Sequence, residues 1–335
     1  MKKMKVWATE PFEPAGTEAL LEFAELKVAS SMDPAVQSKE ASDSDAIVVR
    51  GAKLRDEVVE AAKGLKIVVR HAIGVDSINV PLCTQKGILV CNCPASNTNA
   101  VAEHVIMLML AISKQLLPVA NAYKNGEFTN KGKTLVALKN VYGFNGFEIS
   151  GKTLGVVGFG KIGRLTAERC RNGFGMKIAV YDPYVYKKIE LPENTFWCDT
   201  LEELMPVCDY ISLHLPYSEE TRNLIGEKEL RLMKPTAYFI NCARGGIVNE
   251  EDLYKICKEK TIAGAAIDVL EVEPPLEPHP FFELDNILVT PHFATTTEEA
   301  KVGLSMDAVK NLRQYYHGED PFGWLNKKAM AEIHI

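Results

Sequence analysis

Short apolar runs alternate with helical patterns along almost the whole chain, and this alternation constrains the possible folds more than any other feature. Near the N-terminus the predicted strands are KVWAT, AIVV, KIVVR and GILVCN, with GTEALLEFA and RDEVVEAAKG as helices between them. Strands separated by helices form parallel sheets with right-handed crossovers. The sequence therefore predicts an α/β protein.

The same alternation starts again in the second half of the chain. Its predicted strands are TLGVVG, KIAVYD, YISLHLP, AYFINCA, GAAIDV and NILVTP. Six strands are the complement of a doubly wound dinucleotide-binding domain. A long helical pattern over about residues 97–124 and a polar, glycine-rich connection over residues 127–150 separate the two halves. We therefore expect two α/β units.

The C-terminal stretch predicts one more helix. TTTEEAKVGLSMDAVKNLRQYYHG has apolar residues at helical spacing, and Thr296 with Glu299 fits a capping box at its start. No predicted strand follows this helix. It must therefore pack on a sheet formed by earlier residues.

Composition limits the functions that such a chain can have. A length of 335 residues suggests about two domains. The net charge of −6, the pI near 5.8 and the mixing of basic with acidic residues argue against a nucleic-acid surface. The longest apolar run, residues 105–112, is too short for a membrane span, and the N-terminal segment has no signal-peptide core.

Cysteine and histidine spacing points the same way. The eight cysteines form no CxxC pair and no small secreted framework, which predicts reduced thiols. The seven histidines form no HxxxH or HExxH motif, so no metal site is expected. We expect a cytoplasmic protein with no metal, no nucleic-acid partner and no membrane partner.

A glycine motif carries the first functional signal. Gly158, Gly160 and Gly163 form a GxGxxG sequence that follows an apolar strand and opens a helix. The first glycine permits the tight turn, the second lets the backbone approach a pyrophosphate, and the third allows close packing of helix on strand. The free N–H groups of the helix start then face the phosphates. This context predicts a dinucleotide site.

Asp182 ends the next predicted strand, nineteen residues after Gly163. This is the position of the carboxylate that accepts hydrogen bonds from the ribose hydroxyls of a bound dinucleotide. Its negative charge would repel a 2′-phosphate. The sequence therefore predicts NAD as the cofactor in preference to NADP.

Charged side chains at the ends of the last three predicted strands carry the second signal. Arg244 ends one strand between residues without bulky side chains, and His292 ends another. Between them, Asp268 ends a strand and Glu273 lies in the loop that follows. A guanidinium binds a planar carboxylate through two parallel hydrogen bonds, and a histidine paired with a glutamate exchanges protons near neutral pH. The set fits hydride transfer between NAD and a 2-hydroxy acid, with Gly245 and Gly246 giving the ligands access to the backbone.

These residues lie in longer motifs, and through them the chain resembles the D-isomer-specific 2-hydroxyacid dehydrogenase family. The motifs are GKTLGVVGFGKIGR, HLPYSEETRNLI, INCARGGIVNEEDL, AGAAIDVLEVEPP and NILVTPHFATTTEEA. The resemblance implies two doubly wound parallel-sheet domains, one flavodoxin-like and substrate-binding, one a Rossmann NAD-binding domain, with a cleft between them. It places the substrate domain at residues 1–98 with 298–335 and the cofactor domain at residues 99–297. It also implies a homodimer joined through the cofactor domain.

The resemblance assigns roles residue by residue. It makes Arg244, Glu273 and His292 catalytic, with Arg244 also binding substrate. It assigns the cofactor site to eleven positions: Gly158, Gly160, Lys161, Ile162, Gly163, Asp182, Leu215, Pro216, Cys242, Ala243 and Asp268.

VVRGAKL and VVRHAIGVDSINV look most similar to the phosphoglycerate dehydrogenase branch of the family. This similarity implies that Arg50, Arg70, Ile73 and Gly74 bind substrate. Ala72 and Ile73 depart from the usual pattern of that loop, and residues 127–150, near the family's dimer contacts, form a longer connection than usual. Because only about twenty residues follow the last helix, we expect no regulatory domain and no serine feedback.

Arg50 and Arg70 suggest a substrate with a second polar or anionic group, of which 3-phosphoglycerate and its oxidised form are the first candidates. The alternative is that the two arginines pair with local acids such as Asp56 or Asp76. An NAD-sensing corepressor of the same fold is an alternative function, since such proteins keep the same three catalytic positions. A formate dehydrogenase is disfavoured because it would have glutamine at position 273.

Overall fold

The computed structural model describes residues 2–129 and 144–333. The chain divides into two compact units, Met1–Asn97 with Thr295–Ile335, and Thr98–Ala294. The boundaries expected from the sequence lie within three residues of these. Assignment of the units to substrate and cofactor remains a prediction.

The first unit contains a five-stranded parallel sheet in the order β2-β1-β3-β4-β5. This is the flavodoxin-like order. Its strands are β1 Met4–Ala8, β2 Ala24–Val28, β3 Ala46–Val49, β4 Ile67–Arg70 and β5 Leu89–Cys91. Its helices are α1 Pro14–Leu21, α2 Pro34–Ala41, α3 Asp56–Ala61, α4 Val80–Gln85, α11 Glu298–Tyr316 and α12 Lys327–Ile333.

Strand β2 was not predicted because its residues, AELKV, include two charged side chains. Glu25 and Lys27 are exposed, while Ala24 is buried. A strand at the edge of a sheet can have one solvated face, and charges there oppose pairing with other chains. The apolar pattern is therefore weak at this position.

Helix α11 brings the chain back to the first unit. Leu304, Ala308 and Leu312 pack in one core with side chains of β1, β3 and β4. The helix is capped by Thr297, whose Oγ1 accepts a hydrogen bond from the backbone N–H of Ala300 at 3.1 Å. The N-cap is therefore Thr297 and not Thr296 as expected, and because the residue three positions on is Ala300, the expected capping box with Glu299 is not formed.

The second unit contains a seven-stranded parallel sheet in the order β8-β7-β6-β9-β10-β11-β12. Its first six positions repeat the 3-2-1-4-5-6 order of dinucleotide-binding domains. The strands are β6 Thr153–Val157, β7 Lys177–Tyr181, β8 Thr195–Trp197, β9 Tyr210–Leu213, β10 Tyr238–Asn241, β11 Gly264–Ile267 and β12 Ile287–Val289. The helices are α5 Thr98–Ser113, α6 Leu116–Lys124, α7 Lys161–Phe174, α8 Leu201–Leu204, α9 Glu227–Leu230 and α10 Glu250–Lys258.

Two details of this unit differ from expectation. The sheet has a seventh strand, β8, whose three residues are too few to show a pattern in the sequence. The single long helix predicted over residues 97–124 is two helices, α5 and α6, which meet at 61°. Gln115, just before α6, has a positive φ of 50°, a conformation that ends a right-handed helix.

The predicted α/β architecture with a flavodoxin-like and a Rossmann sheet is confirmed. Among the described residues no single helix is long and apolar enough to cross a membrane, although α5 and α6 together reach that length and composition as a bent pair. The prediction for the 127–150 connection falls mainly on residues 130–143, which lie outside the described residues.

Candidate active site

The glycine motif forms the turn between β6 and α7. Gly158 has φ of +96°, and a Cβ at this position would lie 2.7 Å from the carbonyl oxygen of His214. A Cβ on Gly163 would lie 2.2 Å from the carbonyl oxygen of Gly158. Only glycine therefore permits both the turn and the close approach of the helix to it.

The motif also fits a pyrophosphate. Gly160 is the N-cap of α7, a helix of 14 residues, and a Cβ on Gly160 would have no atom within 4 Å. A ligand can therefore approach this backbone, and the helix start with Lys161 and Ile162 presents N–H groups and a positive dipole end. These residues would hold the phosphates of a dinucleotide.

Asp182 follows β7, as expected, but its carboxylate also builds the motif. One oxygen accepts a hydrogen bond from the N–H of Phe159 at 2.8 Å, and the other accepts from Tyr184 at 2.9 Å and Val185 at 3.2 Å. The side chain thus ties the loop after β7 to the turn after β6. Carboxylate oxygens carry about four lone-pair sites, which leaves acceptor capacity for ribose hydroxyls.

Arg244 lies in a turn that the side chain of Asn241 holds in place. The fully buried Asn241 accepts a hydrogen bond from the N–H of Ala243 at 3.0 Å and donates one to the carbonyl of Arg244 at 2.9 Å. The Arg244 guanidinium donates to the carbonyl of Ala243 at 2.7 Å. Asn241 was missed in the sequence, although a buried polar side chain at a strand end is a signal for such a turn.

Glycine is required at positions 245 and 246 for a reason different from the one expected. A Cβ on Gly245 would lie 2.1 Å from the carbonyl oxygen of Leu270, and Gly246 has φ of +74°. The chain's own backbone after β11 occupies the space beside Gly245. The glycines therefore serve internal packing rather than access for substrate and cofactor.

Glu273 and His292 form a hydrogen-bonded pair. Glu273 Oε2 lies 2.7 Å from His292 Nδ1, and Glu273 Oε1 accepts from the N–H of Leu270 at 2.8 Å. The side chains of Glu273 and His292 are 33% and 43% exposed. In the described part of the chain His292 Nε2 has no hydrogen-bond partner, so this nitrogen is available to a ligand.

The backbone of His292 is anchored to the neighbouring strand end. Its φ is +51°, and its N–H donates to the carbonyl of Asp268 at 2.7 Å. The Asp268 carboxylate is fully buried and accepts from Phe293 at 2.8 Å, Ala294 at 3.0 Å and the hydroxyl of Thr290. This carboxylate therefore fixes the turn that carries His292.

His104 from α5 completes the Asp268 network, with Nε2 3.2 Å from Asp268 Oδ1. Burial by itself would raise the pKa of Asp268, but the hydrogen bonds from His104, Thr290 and two backbone N–H groups outweigh it and hold the pKa below its usual value. Asp268 is thus a buried, ionised group. His104 was not identified from the sequence, where a lone histidine in an apolar helix gives no functional signal.

The remaining expected cofactor residues lie at the same ends of the strands. Leu215 and Pro216 follow β9, and a Leu215 methyl lies 2.8 Å from the position of a Cβ on Gly158. Cys242 and Ala243 follow β10. Burial, together with the Asp268 charge, raises the pKa of the Cys242 thiol well above its usual value and so disfavours the thiolate form.

The expected substrate residues lie at the strand ends of the first unit. Arg50 follows β3, donates to the carbonyl of Pro11 and has its Nη2 3.6 Å from Glu13 Oε1. Arg70 ends β4 and donates to the carbonyls of Gly74 at 3.2 Å and Val49 at 3.0 Å.

The alternative interpretation was that one or both arginines pair with local acids such as Asp56 or Asp76, and the acid beside Arg50 is Glu13. The carbonyl of Ile73 accepts from the side chain of Asn92 at 2.8 Å. Ile73 and Gly74 thus use their carbonyls within the unit. Among the described residues no three His, Cys, Asp or Glu side chains lie close enough together to bind a metal.

Known proteins are similar to this chain in sequence and in fold. Residues 106–294 match the family model described as "D-isomer specific 2-hydroxyacid dehydrogenase, NAD binding domain". The chain is 37% identical over 317 residues to D-3-phosphoglycerate dehydrogenase of Methanocaldococcus jannaschii, covering 94% of this chain and 58% of that protein. It is 36% identical over 335 residues to glyoxylate reductase of Thermococcus litoralis, covering 98% of each.

A solved structure of D-lactate dehydrogenase from Aquifex aeolicus, complexed with NAD and lactic acid, superposes with a TM-score of 0.78 and 28% identity, covering 94% of this chain and 96% of that one. The chain spans a little over half the length of the curated phosphoglycerate dehydrogenases that it matches. The family model describes an NAD-binding domain, which confirms the prediction of a nicotinamide dinucleotide as cofactor.

Proposed function

The chain belongs to the D-isomer-specific 2-hydroxyacid dehydrogenase family, and on this premise we propose that it is an NAD-dependent oxidoreductase. It transfers a hydride between the nicotinamide of NAD and C2 of a D-2-hydroxy acid or the corresponding 2-oxoacid. The observation that carries this proposal is the pair of Glu273 and His292, with a 2.7 Å hydrogen bond at Nδ1 and Nε2 available.

The proposed roles of Arg244, Glu273 and His292 follow from the chemistry of their side chains. NAD, when bound, exchanges a hydride with C2 of the substrate. His292 Nε2 gives a proton to the developing alkoxide during reduction of the oxoacid and takes it back during oxidation. Glu273 holds the ring through Nδ1 and stabilises its charged form. Arg244 binds the substrate carboxylate.

The direct test is oxidation of NADH by the purified protein with a panel of 2-oxoacids. We expect saturable turnover with at least one of them. Absence of turnover with every member, combined with tight NADH binding, would favour an NAD-sensing binding protein instead.

We propose that the enzyme prefers NADH over NADPH because the Asp182 carboxylate would repel a 2′-phosphate. Asp182→Asn removes the charge and keeps one oxygen that can accept from the Phe159 N–H, while its NH₂ then faces the N–H groups of Tyr184 and Val185. We expect this variant to narrow the ratio of kcat/KM for the two cofactors by about tenfold, the effect of about 1.4 kcal/mol. Equal kcat/KM for NADH and NADPH in the unmodified protein would refute the preference.

We propose that the substrate carries a second polar or anionic group, with 3-phosphoglycerate and its oxidised form, 3-phosphohydroxypyruvate, as the first candidates. The support is two arginines at adjacent strand ends of the first unit, since β3 and β4 pair in the sheet. Arg50 is only loosely paired, because its contact with Glu13 is 3.6 Å long and both side chains are 24% exposed. An anionic ligand group can compete with such a pair.

The substrate proposal is tested with phosphohydroxypyruvate, hydroxypyruvate, glyoxylate, pyruvate and 2-oxoisocaproate. We expect the first two to have the highest kcat/KM, and Arg50→Ala to lower kcat/KM for phosphohydroxypyruvate more than for pyruvate. Glu13→Gln serves as the matched variant and should raise kcat/KM for the phosphorylated acid. A ranking led by the alkyl oxoacids, or one that Arg50→Ala leaves unchanged, would contradict the proposal.

We also propose a cytoplasmic homodimer that uses helices α5 and α6. Met107, Leu116, Leu117 and Tyr123 are large apolar side chains with exposures between 47% and 71%. A shallow cavity of about 450 Å³ lies along the same helices. Light scattering of the purified protein should give twice the mass of one chain, and Leu116→Glu with Leu117→Glu should reduce it to one.

A further inference from the structure

A second histidine–glutamate pair lies close in sequence to the first. His279 Nε2 is 3.1 Å from Glu250 Oε2, and each side chain is only 15% exposed. Glu250 is the first residue of α10, and His279 precedes the short 3₁₀ helix Pro280–Glu283. The resemblance assigned no role to either residue.

The hydrogen bonds of His279 fix its tautomer. Nδ1 accepts a hydrogen bond from the N–H of Phe281 at 3.3 Å, so the ring proton is on Nε2. Nε2–H then donates a hydrogen bond to Glu250. The imidazole also packs edge-on against the Phe281 ring, with centroids 4.4 Å apart. Both ring nitrogens are therefore occupied, and this pair cannot exchange a proton with a ligand.

The second oxygen of Glu250 reaches the loop that carries Glu273. Oε1 accepts from the N–H of Glu271 at 2.6 Å. The preceding N–H, that of Leu270, is the one that holds Glu273 Oε1 at 2.8 Å. Two carboxylates thus hold two consecutive backbone N–H groups, and one of these carboxylates is half of the candidate catalytic pair.

The loop has little else to define its conformation. Within the described chain, residues 271–278 neither donate nor accept a backbone–backbone hydrogen bond. Val272 is 55% exposed and Leu276 is 92% exposed, so packing contributes little. The backbone of Leu270 and Glu271 also lies against Gly245, the residue after Arg244. A shift of this loop would therefore disturb both Glu273 and the turn that carries Arg244.

We propose that Glu250 and His279 are positioning residues that hold the Leu270–Glu273 segment so that Glu273 faces His292. Glu250 acts through the Glu271 N–H, and His279 orients the Glu250 carboxylate. The inference rests on the proposed dehydrogenase function for its catalytic consequence, whereas the ordering of the loop is a property of the protein without substrate.

The principal variant is Glu250→Gln. Its amide oxygen can still accept from one N–H, but its NH₂ then faces the donor nitrogen of His279, so only one of the two contacts survives. Because Å-scale misplacement of a catalytic group is costly, we expect kcat for oxoacid reduction to fall about tenfold, with the Kd for NADH unchanged. Glu251→Gln is the matched control, since it removes the same charge from the same helical turn at an exposed side chain.

A double variant separates positioning from a general loss of structure. If Glu250 acts through Glu273, Glu250→Gln should lower kcat much less in a Glu273→Gln background than in the unmodified protein. His279→Phe keeps the aromatic packing and removes the donor to Glu250, and it replaces Glu250→Gln if that variant fails to fold.

Hydrogen exchange provides a readout that needs no activity. Exchange of the backbone amides of Leu270 and Glu271, which the two carboxylates hold, should be faster in Glu250→Gln and His279→Phe than in the unmodified protein and in Glu251→Gln. Unchanged exchange, or equal loss of kcat with and without Glu273, would overturn the inference. If the unmodified protein turns over no oxoacid, the dehydrogenase function fails and the exchange result alone decides whether Glu250 and His279 order the loop.

Discussion

The two histidine–glutamate pairs of the second unit use the same side chains for different ends. In the first, His292 is 43% exposed and shares only Nδ1 with Glu273. In the second, His279 is 15% exposed, and Phe281 and Glu250 occupy both of its nitrogens. The contacts differ by 0.4 Å in length, 2.7 against 3.1 Å, which by itself would not separate them.

The difference indicates that a histidine suited to acid–base catalysis is recognised by a ring nitrogen that remains available to a ligand. A ring with one nitrogen bound to a carboxylate and the other exposed can pass a proton to a ligand. A ring with both nitrogens bound inside the protein can only hold structure.

The largest effect is expected on catalysis when each histidine is removed. His292→Ala should lower kcat by about 10²–10⁴-fold because the alkoxide loses its proton donor. His279→Phe should lower kcat by only about tenfold, since a displaced loop still leaves Glu273 and His292 present. Steady-state NADH oxidation measures both, and similar losses would show that the two pairs do not differ in kind.

A third histidine extends the comparison to a buried ring whose hydrogen-bond partner is a hydroxyl. His71 Nε2 lies 2.9 Å from Ser305 Oγ, and burial, together with the charges of Arg50 and Arg70, lowers the pKa of His71 to about 3. Because the folded pKa is below the unfolded value near 6.5, the unfolded chain binds more protons between these values. The contribution of His71 to the free energy of unfolding is then fully present above pH 6.5 and is lost as the pH falls toward 3.

For this histidine we expect a loss of about 2 kcal/mol between pH 6.5 and pH 5, at about 1.4 kcal/mol per pH unit. Denaturant unfolding across this range should show the slope, and His71→Gln should reduce it by that amount. Burial also lowers the pKa of His214 to about 4, so His214 adds a slope of its own. A slope that His71→Gln leaves unchanged would contradict the prediction.

Glu273→Gln tests the carboxylate of the exposed pair. Gln retains an acceptor for His292 Nδ1 but lacks the negative charge that stabilises a protonated ring. We expect kcat for oxoacid reduction to fall about tenfold, measured by steady-state NADH oxidation. An unchanged kcat would show that Glu273 only orients the ring.

Added imidazole should distinguish the two sites by access. Because the side chain of His292 is 43% exposed, free imidazole can enter the space left in His292→Ala and supply a proton there. We expect a rise in kcat of severalfold, an order-of-magnitude expectation for partial recovery of general acid catalysis. His279→Ala should show no recovery, and a comparable response there would contradict the structural role of that ring.

The smallest effect is expected on stability, in the opposite order. His279→Ala removes a donor from a largely buried carboxylate and should cost about 1–2 kcal/mol in free energy of unfolding. His292→Ala breaks an exposed pair and should cost less than about 1 kcal/mol. Thermal denaturation of the two variants, measured in parallel, compares these costs. Greater destabilisation by His292→Ala would reverse the assignment.

Elements defined by local pattern could be predicted from the sequence, whereas elements at the sheet edges could not. The turn from Gly158 to Gly163 could be predicted because a strand, three glycines and a helix lie within a few residues. The carboxylate of Asp182 could be predicted because it ends the next strand. Strands β2 and β8 were not predicted because an edge strand buries only one face and its apolar pattern is weak. The break before α6 depends on one left-handed residue, Gln115, in a stretch that otherwise has helical spacing.

Patterns of neighbouring residues are sufficient to place particular chemical groups at the strand ends of the second unit, because strand and helix periodicity are local properties. Which of these groups contact one another depends on the tertiary structure. Glu273 is nineteen residues from His292, Glu250 is twenty-nine from His279, and Asp268 is separated from His104 by most of the unit. Such pairings arise from the arrangement of β10, β11 and β12 in the sheet and of the loops and helices between them, and no local pattern encodes the distance between side chains on different elements.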